Sequence, residues 1–112
     1  MQTHDLDFFQ LDNLIRNRVP FCFFNYGTPL KNHYQLLEKI HLNTWLIEVS
    51  AHTDIESQIK ERQLPTHSGI IILCQDGNLS RNSQELLLKN GYSNVYIVHG
   101  GYKNLKDSFG KS

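Results

Sequence analysis

The chain has 112 residues, 39% of them hydrophobic and 20% charged, with 11 Lys plus Arg against 11 Asp plus Glu. At roughly 100–150 residues per domain, this predicts one domain over residues 1–112, long enough to bury its own core. A net charge of zero argues against the broad basic field of nucleic-acid binders and electrostatic membrane binders, so neither partner is expected.

At the start of the chain, Met1-Gln2-Thr3-His4-Asp5-Leu6-Asp7 shows no basic segment followed by an apolar one, so no secretory signal is expected. A short strand near Leu6–Phe8 and a helix at 10–17, with Leu11, Leu14 and Ile15 on one face, open the domain. After Pro20, Phe21-Cys22-Phe23-Phe24 reads as a buried strand in which Cys22 is a plain core residue. Leu30, Tyr34, Leu37 and Ile40 recur at helical spacing and predict a helix over 30–41. Trp45-Leu46-Ile47-Glu48-Val49 is the next strand. Ile55 and Ile59 share a face of a helix at 53–63, with Asp54 and Glu56 in its dipole-favoured first turn and Pro65 beyond its end.

Gly69-Ile70-Ile71-Ile72-Leu73, rich in β-branched residues, is the expected central strand. A helix holding Leu86-Leu87-Leu88 follows, capped by Ser80 or Asn82, with Gly91 just past its end. Val95-Tyr96-Ile97-Val98 is a further strand, and Gly100-Gly101 turns into a last helix at about 102–109. Alternation of strand and helix predicts an α/β fold: a central parallel sheet of about five strands with helices on both faces. No apolar run approaches the roughly 20 residues that span a bilayer. Two cysteines and no export signal point to a reducing cytoplasm. The six histidines make no metal-ligand spacing, so no metal or cofactor is expected.

The informative segment is Cys74-Gln75-Asp76-Gly77-Asn78-Leu79-Ser80, leaving the carboxyl end of the central strand, where open parallel sheets bind ligands. Backbone N–H groups of a tight loop and the dipole of the following helix stabilise a thiolate over a thiol. Cys74 is therefore the expected nucleophile, and Gly77 supplies the turn. Arg81, two residues past Leu79, is either solvated or an anion contact at the loop mouth. Asp76 reads as a turn residue, and His99 as a solvated or structural strand-end residue.

Cys74-Gln75-x-Gly77-x-x-Ser80, joined at the right distances to Gly91-Tyr92, Asn94-Val95-Tyr96 and Gly100-Gly101-Tyr102, resembles the second half of a single-domain rhodanese. The resemblance implies a sulfurtransferase or sulfur carrier. Cys74 would take sulfane sulfur from thiosulfate or a persulfide and pass it to a thiophilic acceptor, which could be a protein. It also implies that the backbone of Gln75, Asp76, Gly77, Asn78, Leu79 and Ser80 cradles the sulfur, with the Ser80 hydroxyl near the persulfide.

Several positions depart from the family pattern. Leu79 stands where many active members carry Arg, and Asn25-Tyr26-Gly27 where members usually have Asp-x-Arg. The Gly-His-Ile-x-Gly-Ala segment is missing, and Leu105 takes the place of a Trp. These departures favour an alternative, a catalytically weak rhodanese-like binding or regulatory module. A phosphatase or arsenate-reductase relative fits less well. It needs Cys and Arg separated by five residues, whereas six lie between Cys74 and Arg81 and Ser80 stands where that Arg would be.

Overall fold

Strand and helix alternate through the computed structural model, which describes residues 5–17, 21–34 and 46–110. The order is β1 (Asp5–Leu6), α1 (Phe8–Arg16), β2 (Cys22–Asn25), a 3₁₀ turn (Leu30–His33), β3 (Leu46–Glu48), α2 (His52–Arg62), β4 (Ile70–Leu73), α3 (Asn78–Lys89), β5 (Val95–Val98) and α4 (Gly101–Gly110). The five strands form one parallel sheet in the order β1-β5-β4-β2-β3. The expected α/β architecture is what the chain adopts. Among the described residues no helix is long and apolar enough to cross a membrane.

Side-chain alternation sorts the sheet into two faces. Phe23, Ile71, Leu73 and Val98 meet Leu11 and Ile15 of α1 and Tyr102 and Leu105 of α4. Phe24, Ile70, Ile72, Val95 and Ile97 meet Ile55 of α2 and Leu87 of α3. All four residues of β4 are buried, as a strand covered on both faces requires. Cys74 has the parity of Ile70 and Ile72, so it points to the α2–α3 face. Connections leave β2 toward β3 and β4 toward β5, in opposite directions. The crevice where strand order reverses therefore lies between the carboxyl ends of β2 and β4.

Several element ends differ from the sequence reading. The strand expected at Leu6–Phe8 stops at Leu6, because Asp7 and Gln10 form a reciprocal capping box that starts α1 at Phe8. The helix expected over 30–41 is a 3₁₀ turn at Leu30–His33, and residues 35–41, like Trp45, lie outside the described residues. One turn suffices to bury both Leu30 and Tyr34 against α1, where the Tyr34 hydroxyl donates to Asp12. α3 begins at Asn78 with Gly77 as its N-cap, three residues ahead of the expected Ser80 and five ahead of Asn82. Within Leu86-Leu87-Leu88 only Leu87 is fully buried, and Leu88 is exposed. Gly91, at φ +93°, does follow the helix end in the left-handed conformation.

The start of α2 depends on one carboxylate. Asp54 accepts from the backbone N–H and hydroxyl of Ser50 and from the N–H of Ala51, which holds its carboxyl below its ordinary 3.8. A depressed carboxyl stabilises the fold above its unfolded pKa and loses that contribution as pH falls through the folded value. Asp54→Asn is therefore expected to lower the melting temperature near neutral pH, with the gap to wild type closing below pH 3.8. Thermal melts of both proteins across that range check it; a gap independent of pH would contradict it.

Candidate active site

Gly77 makes the loop after β4 tight enough to fold back on its own cysteine. Its φ of +96° is a conformation that costs an L-residue and costs glycine nothing, and its carbonyl accepts from the Arg81 N–H to open α3. The turn brings the Gly77 N–H to 3.0 Å and the Ser80 N–H to 3.4 Å from Cys74 Sγ. Both donors belong to the N-terminal end of α3, whose dipole adds partial positive charge there. Two N–H donors and a helix terminus converge on the sulfur, an environment that stabilises negative charge at that position.

The remaining loop residues fall outside this contact. The Asn78 N–H goes to Asp76 Oδ1 at 3.0 Å, an Asx-type turn, and its side-chain amide bonds the same carboxylate. Gln75, Asp76, Asn78 and Leu79 are exposed, with Leu79 at 51%. Ser80 is buried, and its Oγ is a buried polar atom without a hydrogen-bond partner among the described residues. This hydroxyl, on the turn whose N–H groups hold the sulfur, retains its capacity to donate or accept a hydrogen bond. Arg81 directs its guanidinium away, to Asp5 of β1 at 3.2 Å, and His99 Nδ1 lies 3.6 Å from the same oxygen.

Cys74 itself is fully buried, as its position beside Ile72 on the α2–α3 face requires. The other cysteine is distant. Cys22 pairs in register with Ile70, so it lies four residues, roughly 13 Å, down the sheet from Cys74. Burial pushes the Cys22 thiol up to about 11, with Arg62 opposing.

Two groups that the sequence reading named but did not place at the site lie against it. The first is Tyr26. Its N–H bonds the Leu73 carbonyl at 2.8 Å, which sets it alongside Cys74 at the reversal of strand order. Its hydroxyl and Ser83 Oγ, both buried, share a 2.6 Å hydrogen bond that ties the end of β2 to α3. Burial raises the Tyr26 phenol above its ordinary 10.0 against the pull of Ser83, and the nearby Cys74 and Asp54 add to the rise. Asn25, beside it, is consumed internally: its amide contacts the Thr28 carbonyl and Glu48, and its carbonyl oxygen accepts from Thr28.

The second group is the double glycine. The Tyr102 N–H bonds the Cys74 carbonyl at 2.7 Å and the Lys103 N–H bonds the Gln75 carbonyl at 2.9 Å, so α4 holds the loop by its outward carbonyls. A Cβ on Gly101 would stand 2.6 Å from the Cys74 oxygen and 2.8 Å from the Asp76 nitrogen, at φ +70°. Gly101→Ala is therefore expected to destabilise the protein by at least about 2 kcal/mol, combining left-handed strain with a backbone clash. A urea melt checks this; an unchanged midpoint would show that the loop has other ways to seat. Among the described residues, no three His, Cys, Asp or Glu side chains gather as metal ligands do.

The comparisons with known proteins agree with this geometry. A model of the rhodanese-like domain family matches residues 32–108. The chain is similar to a rhodanese-related protein of Thermoplasma volcanium, with 16% identity, a TM-score of 0.60, and 94% of this chain and 92% of that one covered. It is similar to a rhodanese-like domain of Anabaena sp., at 14% identity and TM-score 0.66, covering 96% and 76%. It is also similar to a single-domain sulfurtransferase of Saccharomyces cerevisiae, at 16% identity and TM-score 0.63, covering 100% and 95%. No curated protein matches the chain. At these identities the solved structures carry the fold, while the family match spans most of the chain, from the 3₁₀ turn through the Cys74 loop to α4. The chain belongs to the rhodanese-like domain family.

Proposed function

We propose that the protein is a sulfurtransferase or sulfur carrier that forms a persulfide on Cys74. The observation that carries this reading is the sulfur's surroundings: two N–H donors on Sγ and an unpartnered, buried Ser80 hydroxyl on the same turn. In the first step the Cys74 thiolate attacks the outer sulfur of a sulfane donor. The donor's S–S bond breaks, and sulfite (from thiosulfate) or a thiolate (from a persulfide) leaves with the electron pair. In the second step an acceptor nucleophile attacks the outer persulfide sulfur and Cys74 leaves as a thiolate, stabilised again by Gly77 and Ser80.

The acceptor is external. A disulfide-type exchange needs Cα atoms within about 7 Å, and Cys22 lies roughly twice that far from Cys74. A small thiol or a protein cysteine meets the requirement, and a free catalytic thiol suits a reducing cytoplasm. The experiment is intact-protein mass after incubation with thiosulfate or an alkyl persulfide. One added sulfur, removable by cyanide or excess thiol, is the expected result. A mass unchanged with every donor would instead favour the second reading, a rhodanese-like module that binds a partner without transferring sulfur. That reading draws on the missing charge at Leu79 and on Asn25 being committed to Thr28 and Glu48.

A further inference from the structure

We infer that Asp5 sets the donor class of this site by withholding Arg81 from it, so that the protein takes sulfur from persulfides in preference to small oxyanionic donors. The inference rests on the sulfurtransferase reading and concerns charge at the mouth of the cradle.

Arg81 follows Ser80 directly, in the first turn of α3, and is the one cation from residue 74 to 81. A guanidinium there has the length to lean over the loop, where its planar fork would match a sulfonate. Instead its Nη2 lies 3.2 Å from Asp5 Oδ2. Asp5 belongs to β1, two strands or about 10 Å from β4, so the pair holds the charge on the β1 side of the loop. His99 Nδ1 approaches the same oxygen at 3.6 Å, leaving Asp5 facing two basic side chains. The loop's own charged side chain is Asp76, which is exposed and negative. Leu79 adds none. From the loop itself a dianion such as thiosulfate therefore meets backbone dipoles and a carboxylate, while a persulfide with an organic substituent needs no sulfonate clamp.

An exposed ion pair of this kind is weak, so replacing Asp5 releases Arg81 at small cost to the fold. Asp5→Asn keeps the shape of the residue and the β1–β5 backbone pairing. Its effect is read in two ways. In the Cys74→Ser background, calorimetry gives the Kd of thiosulfate itself, free of chemistry. With Cys74 present, intact mass gives sulfur uptake rates from thiosulfate and from an alkyl persulfide.

Asp5→Asn is expected to tighten thiosulfate binding and speed its uptake about three- to fivefold at low ionic strength, with the gain shrinking in salt. Alkyl persulfide rates should change less than twofold. Asp5→Asn/Arg81→Gln should lose the gain. Asp107→Asn, on the exposed side of α4, makes the same change in net charge and should show none of it. The inference is overturned if Asp5→Asn leaves thiosulfate binding unchanged, if the double variant keeps the gain, or if Asp107→Asn reproduces it. A tightened Kd with no sulfur uptake from any donor would support the role of Asp5 and overturn the sulfurtransferase reading instead.

Discussion

Cys74→Ser is expected to abolish sulfur uptake, whereas Cys22→Ser should retain it. At neutral pH a thiol raised to about 11 is ionised in about one molecule in ten thousand, so Cys22 is no rival nucleophile despite its partial exposure. Cys74 is enclosed but has two N–H groups on its sulfur. A serine there keeps an acceptor for both N–H groups, so the loop should stay seated while its nucleophile is lost. Intact mass with thiosulfate and with an alkyl persulfide, together with circular dichroism of both variants, checks the pair. Sulfur appearing on Cys74→Ser, or lost in Cys22→Ser, would move the chemistry to the other cysteine. Because Cys74 is enclosed, iodoacetamide should label it slowly in the native state compared with denaturant.

Leu79→Arg is expected to raise kcat/KM for thiosulfate about tenfold. A charge-assisted hydrogen bond to the donor's sulfonate is worth roughly 1.5–3 kcal/mol, and the half-exposed position argues for the lower end. Realised in the transition state, about 1.4 kcal/mol corresponds to a factor of ten in rate. Persulfide donors, lacking a sulfonate, should gain much less. Stability should hardly change, since an exposed Leu and Arg have similar helix propensities. Steady-state kinetics on both proteins with both donors decides it. A wild type already fast with thiosulfate and indifferent to Arg at 79 would show that the cradle's dipoles suffice without a side-chain cation.

Much of the site was legible because its chemistry is local. A cysteine ending the most apolar strand, a glycine three residues on and a helix after it lie within seven residues, and loop geometry follows from such short-range constraints. The start of α3 was misplaced for a related reason. Ser80 and Asn82 have good capping side chains, yet Gly77 in the left-handed conformation begins the helix earlier and turns Ser80 inward. The local sequence also left Arg81 ambiguous, either solvated or an anion contact at the loop mouth. Its partner, Asp5, is 76 residues away, and no periodicity links them.

The sequence by itself determined the alternation of strand and helix, the central place of Ile70–Leu73 and the identity of the cysteine beside a tight turn, because each depends on neighbours along the chain. Only the tertiary structure decided what surrounds that cysteine. Strand parity and the order β1-β5-β4-β2-β3 set Tyr26 against Cys74, and the α4 terminus onto the loop carbonyls. The same order placed Asp5 where it captures Arg81 and left Cys22 at the far end of the sheet. Those relations join residues distant in sequence, and packing of the two sheet faces creates them.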